Sequence, residues 1–150
     1  MRIYRALILP IAIYGAESWT LRQADKRQLN TFEMRCLRVI LGVSLMDKIK
    51  NEEIRHMLHL STGICDEVAR RRLKWFGHLV RMPPHRLPFQ AYKNDFLKRR
   101  RPGRPPARWR DQIESNVGVP LKGAENQAQG RPEWRRITLR RAKGHTVLCS

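Results

Sequence analysis

Apolar positions recur at three- and four-residue spacing along most of this chain, and no useful stretch alternates with period two. That pattern predicts an all-α fold: several short amphipathic helices, with an extended basic Pro/Arg-rich linker among them. Residues 2–19, RIYRALILPIAIYGAESW, are apolar around most of a helical circumference. Such a helix is expected to be buried on most sides, kinked at Pro10 and weakened at Gly15. Thr20-Leu21-Arg22-Gln23 fits a capping box opening a helix to about Leu41, with Leu29, Phe32, Cys36 and Ile40 inward and Gly42 as a left-handed cap. Asn51 before Glu52-Glu53 reads as the cap of a shorter helix carrying Ile54 and Leu58, which Ser61-Thr62-Gly63 breaks.

The next helix is two-faced. It runs from about Asp66 to Met82 and is stopped by Pro83-Pro84. Leu73, Phe76 and Val80 form a stripe widened by Val68, Trp75 and Leu79, whereas Arg70, Lys74, His78 and Arg81 recur on another side, with Arg71 beside them. The aromatics suit core packing and the cations suit contact with phosphates. A short helix is expected within His85–Leu97, from Phe89, Tyr92 and Phe96. Lys98–Arg110, KRRRPGRPPARWR, holds seven Lys and Arg, three Pro, one Gly and no acid. Its prolines and self-repulsion favour an extended segment. Pro106 suits the first turn of a helix to Val117, with Trp109, Ile113 and Val117 inward. Residues 121–131 read as a loop. Pro132 opens a last helix, Glu133–Lys143, with Trp134 and Ile137 inward and Arg135, Arg136, Arg140 and Arg141 outward.

Charge divides the chain. Its 150 residues carry a formal net charge of +18. Residues 1–69 hold 10 Lys and Arg against 8 Asp and Glu, a net +2; residues 70–150 hold 21 against 5, a net +16. A polyanion is therefore the expected partner, nucleic acid before an anionic membrane surface. A two-part organisation follows, with 1–65 as one helical segment and 66–150 as a basic one. The phosphate-contact candidates are Arg70, Arg71, Lys74, Arg81, Lys98, Arg99, Arg100, Arg101, Arg104 and Arg108, and Trp109 is a candidate for base stacking. The run around Gly103-Arg104-Pro105 resembles an AT-hook, and the same basic run also fits a nuclear-localisation signal.

Catalytic chemistry is not visible. Glu52-Glu53 and Asp66-Glu67 sit where helix starts explain them, and no Walker-type glycine loop or G-x-S-x-G occurs. His56, His59 and Cys65 lack a fourth ligand at zinc spacing, and surface histidines are the better account. Three cysteines, none in C-x-x-C, suit a reduced compartment. The nine-residue apolar run Ala6–Tyr14 is too short to cross a bilayer, which takes about 20 residues. No cofactor and no membrane partner are expected. An apolar run so near the first residue suggests the tail of something longer.

Six elements occur in a recognisable order: Tyr14-Gly15-x-Glu17-x-Trp19; Phe32-x-x-Arg35-Cys36-Leu37-Arg38-x-Ile40-x-Gly42; Asn51-Glu52-x-Ile54; Arg72-Leu73-x-Trp75-x-Gly77-His78-x-x-Arg81-Met82; Gly103-Arg104-Pro105-x-x-Arg108-Trp109-x-Asp111; and Arg131-x-x-Trp134-Arg135. Over nearly its whole length the chain thereby resembles the C-terminal part of non-LTR (LINE-type) retrotransposon reverse transcriptases, the thumb and the segment after it. The resemblance implies a thumb-like segment at 1–65 and a post-thumb segment at 66–150 that grip template–primer or target DNA. RNA, DNA or a hybrid would be the ligand, and the fingers and palm of a longer polyprotein the missing partner. The family's aromatic-x-Asp-Asp palm motif does not occur, so the chain alone is not expected to be an enzyme. Gly130 stands where the family usually has an acid, and the Cys-rich knuckle of some relatives is missing. The resemblance implies a nuclear location, or a cytoplasmic one with element RNA. The rival expectations are a host-adopted DNA-binding protein that uses the AT-hook-like segment, and a decayed open reading frame.

Overall fold

The α class holds in a computed structural model that describes residues 1–93 and 108–142, with the side chains of 141 and 142 excepted: every regular element among the described residues is helical. A π-helical turn, Tyr4–Ile8, leads into α1, Leu9–Ala12. The widening has a cause. Pro10 has no N–H to give the preceding turn and its ring crowds the carbonyl four residues back, so the turn opens where the proline enters. Gly15 then takes a left-handed conformation (φ 66°) and a single 3-10 turn, Ala16–Ser18, follows.

The remaining helices are α2 (Gln23–Leu41), α3 (Asn51–Met57), α4 (Ile64–Val80), α5 (Leu87–Lys93), α6 (Trp109–Val117), α7 (Leu121–Gln129) and α8 (Arg131–Ala142). Three of them start by one device. The backbone N–H of Arg22 donates to Asp25 at 2.7 Å, that of Gly63 to Asp66 at 2.9 Å and that of Arg108 to Asp111 at 3.2 Å. An aspartate three residues in thus satisfies the capping residue's N–H and places negative charge at the positive end of the helix. The box expected at Thr20–Gln23 is therefore replaced by one closed from Asp25, two residues later. Asn51, expected as a cap, is instead the first residue of α3, after Lys50, and its side-chain oxygen accepts from Arg38 at 2.9 Å. Gly42 does cap α2 in the left-handed region (φ 69°), with Val43 N–H reaching back to Arg38.

Three apolar clusters fill the interior. Tyr4, Met34, Leu37 and Ile54 form one, Ile13, Ala16, Ile64 and Val68 the second, and the third gathers around Leu73, Phe76, Leu79 and Val80. α4 serves two of them, its first turns packing on the N-terminal segment and its last turns on α5–α8; the sequence boundary at 65/66 falls inside it.

Several expectations are corrected. The buried stripe of α2 is Glu33, Met34 and Leu37, whereas Phe32 and Ile40 are exposed and Leu29 and Cys36 are half-buried. A buried carboxylate, to which pattern reading assigns the outside, rotates the inner face. The N-terminal segment is not buried on most sides: Ile3 (69%), Leu7 (58%), Ile11 (75%) and Tyr14 (85%) lie exposed at four-, four- and three-residue spacing. Only the opposite side, with Tyr4 and Ile13, meets the rest of the chain.

Residues 121–129 form a helix rather than a loop. Gly118 (φ 78°) ends α6, and Glu114 on α6 accepts the Leu121 N–H at 2.7 Å, which starts α7 one turn later. α7 buries only Ala124 and Ala128, so its inward face is small and its sequence reads as polar. The start of α6 is set by Arg108 and Asp111; Pro106, expected to open it, lies outside the described residues.

Candidate nucleic-acid interface

Four aromatic rings anchor the basic half. Phe76 meets Tyr92 edge-on at 6.0 Å between ring centres, Trp109 at 6.1 Å and Trp134 at 5.5 Å. The Trp134 indole N–H donates to the Leu73 carbonyl at 2.8 Å. It does so because residue 77 is glycine: a Cβ there would run into the Trp134 ring. Tyr92 hydrogen-bonds Glu125, which Lys93 also reaches at 3.0 Å, and Arg110 lies 4.9 Å from the Tyr92 ring centre. For Glu125, burial acts to raise the carboxyl pKa, and the bonds from Tyr92 and Lys93 more than offset it, leaving the value below the ordinary one.

The stretch from Ile13 to Leu21 is held by side chains from the other half of the chain. Arg71 donates to the Ile13 carbonyl at 3.1 Å and Arg72 to the Trp19 carbonyl at 2.9 Å. Trp109 gives its indole N–H to the Glu17 carbonyl at 2.8 Å. Gln112 brackets Leu21, accepting its N–H at 3.2 Å and donating to its carbonyl at 2.5 Å. Irregular backbone has no ladder of its own, and these donors and acceptors replace one. Arg72 is the costly member. It is 3% exposed, its Nε has no hydrogen-bond partner, and burial lowers its pKa to about 10, so it remains charged at neutral pH.

The candidate phosphate contacts therefore divide. Arg70 forms two bonds to Glu67, at 2.7 and 2.5 Å, and that hydrogen bonding raises its pKa. Arg71 lies 3.5 Å from the same carboxylate while holding Ile13. Arg81 donates to the Ala128 carbonyl at the end of α7. Trp109 is half-buried with its N–H engaged and its ring against Phe76. Lys74 is exposed and has no ion-pair partner among the described residues; Arg108 is exposed at the start of α6. His78 is exposed, its ring 5.5 Å from that of Trp75. Lys98, Arg99, Arg100, Arg101 and Arg104, with the Gly103-Arg104-Pro105 segment, lie outside the described residues.

Sequence reasoning took Glu67 only as a helix-start acid and overlooked that it stands three and four residues before Arg70 and Arg71, the ordinary spacing of a helical ion pair. It placed Arg135 outward and Arg131 in the last motif, yet counted neither among the phosphate contacts, although both are exposed on α8. An open cleft of about 540 Å³ beside α2, lined by Trp19, Leu21, Leu29, Phe32 and their polar neighbours, presents no cation and does not extend the basic surface. Among the described residues no group of His, Cys, Asp and Glu could hold a metal ion, and no helix is long and apolar enough to cross a membrane.

Comparison with protein-family models, with curated proteins and with solved structures gives no match for this chain.

Proposed function

We propose that the chain is the nucleic-acid-binding C-terminal part of a non-LTR retrotransposon reverse transcriptase, which grips template–primer or target DNA electrostatically and does not polymerise by itself. The observation that carries this reading is the order of the six sequence elements along nearly the whole chain. Their residues also serve one another: Trp134 rests on Gly77, Arg72 holds Trp19, and Trp109 holds Glu17. Residues that act as mutual supports are a reason for such elements to occur together. The +16 carried by residues 70–150 supplies the affinity. The exposed row Ile3, Leu7, Ile11 and Tyr14 offers an apolar surface on which fingers and palm would pack. A nuclear location, with passage through the cytoplasm on element RNA, belongs to the same reading.

The test is a titration of labelled RNA, DNA and hybrid duplexes over a range of salt. If about six cations meet phosphates, log affinity falls against log salt with a slope near −5 on duplex DNA. A salt-independent affinity overturns the reading. Primer extension with this chain alone yields no product; extension overturns the non-enzymatic part. An A·T-rich duplex preferred strongly over a G·C-rich one would favour the AT-hook alternative.

A further inference from the structure

α4 and α8 form an antiparallel pair. Trp134 of α8 lies over the Leu73–Gly77 turn of α4, and Arg131, one turn earlier on α8, lies near Arg81, one turn later on α4. Numbers that rise along one helix therefore fall along the other. Arg135 follows Arg131 by one turn on the same side of α8, which sets it level with Lys74 and His78. The acids are elsewhere: Glu67 is taken by Arg70 and Arg71, Glu125 by Tyr92 and Lys93, and Glu133 faces Arg136 on the other side of α8. Like charges brought together without a carboxylate between them cost stability, and Arg81 shows that cost: burial first, then the charge of Arg131, lowers its pKa.

We propose that the seam between α4 and α8 is a phosphate-backbone track for nucleic acid, lined by Lys74, Arg81, Arg131 and Arg135. This rests on the reading that the chain binds nucleic acid and gives the last helix a part in that grip. Arg81 spends one donor on the Ala128 carbonyl and keeps others of its five for a phosphate oxygen. The seam is a better fit for a nucleic-acid backbone than for a lipid surface. A membrane-surface helix sets several large apolar side chains beside its cations. On α8 only Leu139 among the described side chains is large, apolar and exposed. Contacts of this kind track the backbone and do not read sequence.

The test uses the full chain and a labelled duplex DNA in anisotropy titrations over salt. Arg131→Gln with Arg135→Gln is compared with Arg136→Gln with Arg140→Gln, which removes equal charge from the other side of α8. The seam pair is expected to flatten the salt slope by about 1.8 on duplex DNA and to weaken binding about tenfold or more at moderate salt, and the other pair less than half as much. Arg131→Lys with Arg135→Lys keeps the charge and is expected to keep the slope; circular dichroism checks that each variant retains its helices. Equal effects of the two Gln pairs overturn the seam. So does an unchanged slope in the seam pair when Gln at Lys98–Arg101 flattens it, a result that leaves the general nucleic-acid reading standing. A wild-type chain whose binding ignores salt overturns both. Binding to anionic vesicles that is lost in the seam pair while duplex binding is kept also overturns it, in favour of a lipid partner.

Discussion

The two halves of the molecule solve the problem of charge in opposite ways. In the first half a carboxylate is built into the interior. Glu33, 2% exposed, receives the Tyr4 hydroxyl at 3.2 Å, the Ile64 N–H at 2.9 Å and the Arg55 guanidinium at 2.5 Å. It ties the N-terminal segment, α2, α3 and the start of α4 together. Burial raises its pKa, against the opposing pull of Arg55. In the second half the centre is aromatic, the indole N–H groups of Trp109 and Trp134 bond to backbone, and most cations among the described residues stay outside. A core organised by a charge consumes the ions it needs, whereas a core organised by rings leaves most of them on the surface.

The largest expected effect breaks the aromatic half. Trp134→Ala removes a ring that is 3% exposed and should cost about 4 kcal/mol, read by chemical denaturation. Gly77→Ala should act through the same contact, its new methyl displacing the Trp134 ring from Leu73. Loss of stability without loss of tryptophan burial, followed by fluorescence, would show that the ring is not what joins α4 to α8.

The charged half is next. Glu33→Ala leaves Arg55 and the Ile64 N–H without their partner and should cost about 3 kcal/mol. The pH dependence sharpens the contrast. A carboxyl whose folded pKa is raised holds its proton longer folded than unfolded, so its contribution to stability falls as pH rises from the ordinary glutamate value through the raised one. Glu33→Gln should flatten that part of the stability profile, and an unchanged slope there would assign it to other carboxylates.

The smallest effects concern binding. Lys74→Gln should flatten the salt slope for duplex DNA by about 0.9, one phosphate contact, whereas Arg70→Gln should leave the slope nearly unchanged because its guanidinium already serves Glu67. Equal effects of the two would mean that the ion pair opens on binding.

The helical class, the Gly42 cap, the two-faced helix with its Pro83-Pro84 stop and the inward Trp134 were legible because each rests on local spacing or turn chemistry. The inner face of α2 was not, because hydrophobicity cannot signal a carboxylate that is buried only through partners 29, 22 and 31 residues away in sequence. α7 was missed because a helix that buries two alanines carries little apolar pattern. For the proposed contacts among the described residues, the pattern of cations did not reveal the partners they already hold. Arg71, Arg81 and Trp109 each already give a donor to a carbonyl of a distant segment, which no periodicity encodes.

Those carbonyl contacts also bear on the order in which the molecule assembles. Ile13–Leu21 is fastened by partners 53 to 92 positions further along the chain. Contacts closed over such loops form late, since the entropy of closing them is spent before they return anything. On a ribosome, the Ile13–Leu21 segment is fastened only in part, by Arg71 and Arg72, until Trp109 and Gln112 have cleared the exit tunnel. Slower translation between α4 and α6 would lengthen the interval in which that fastening is incomplete.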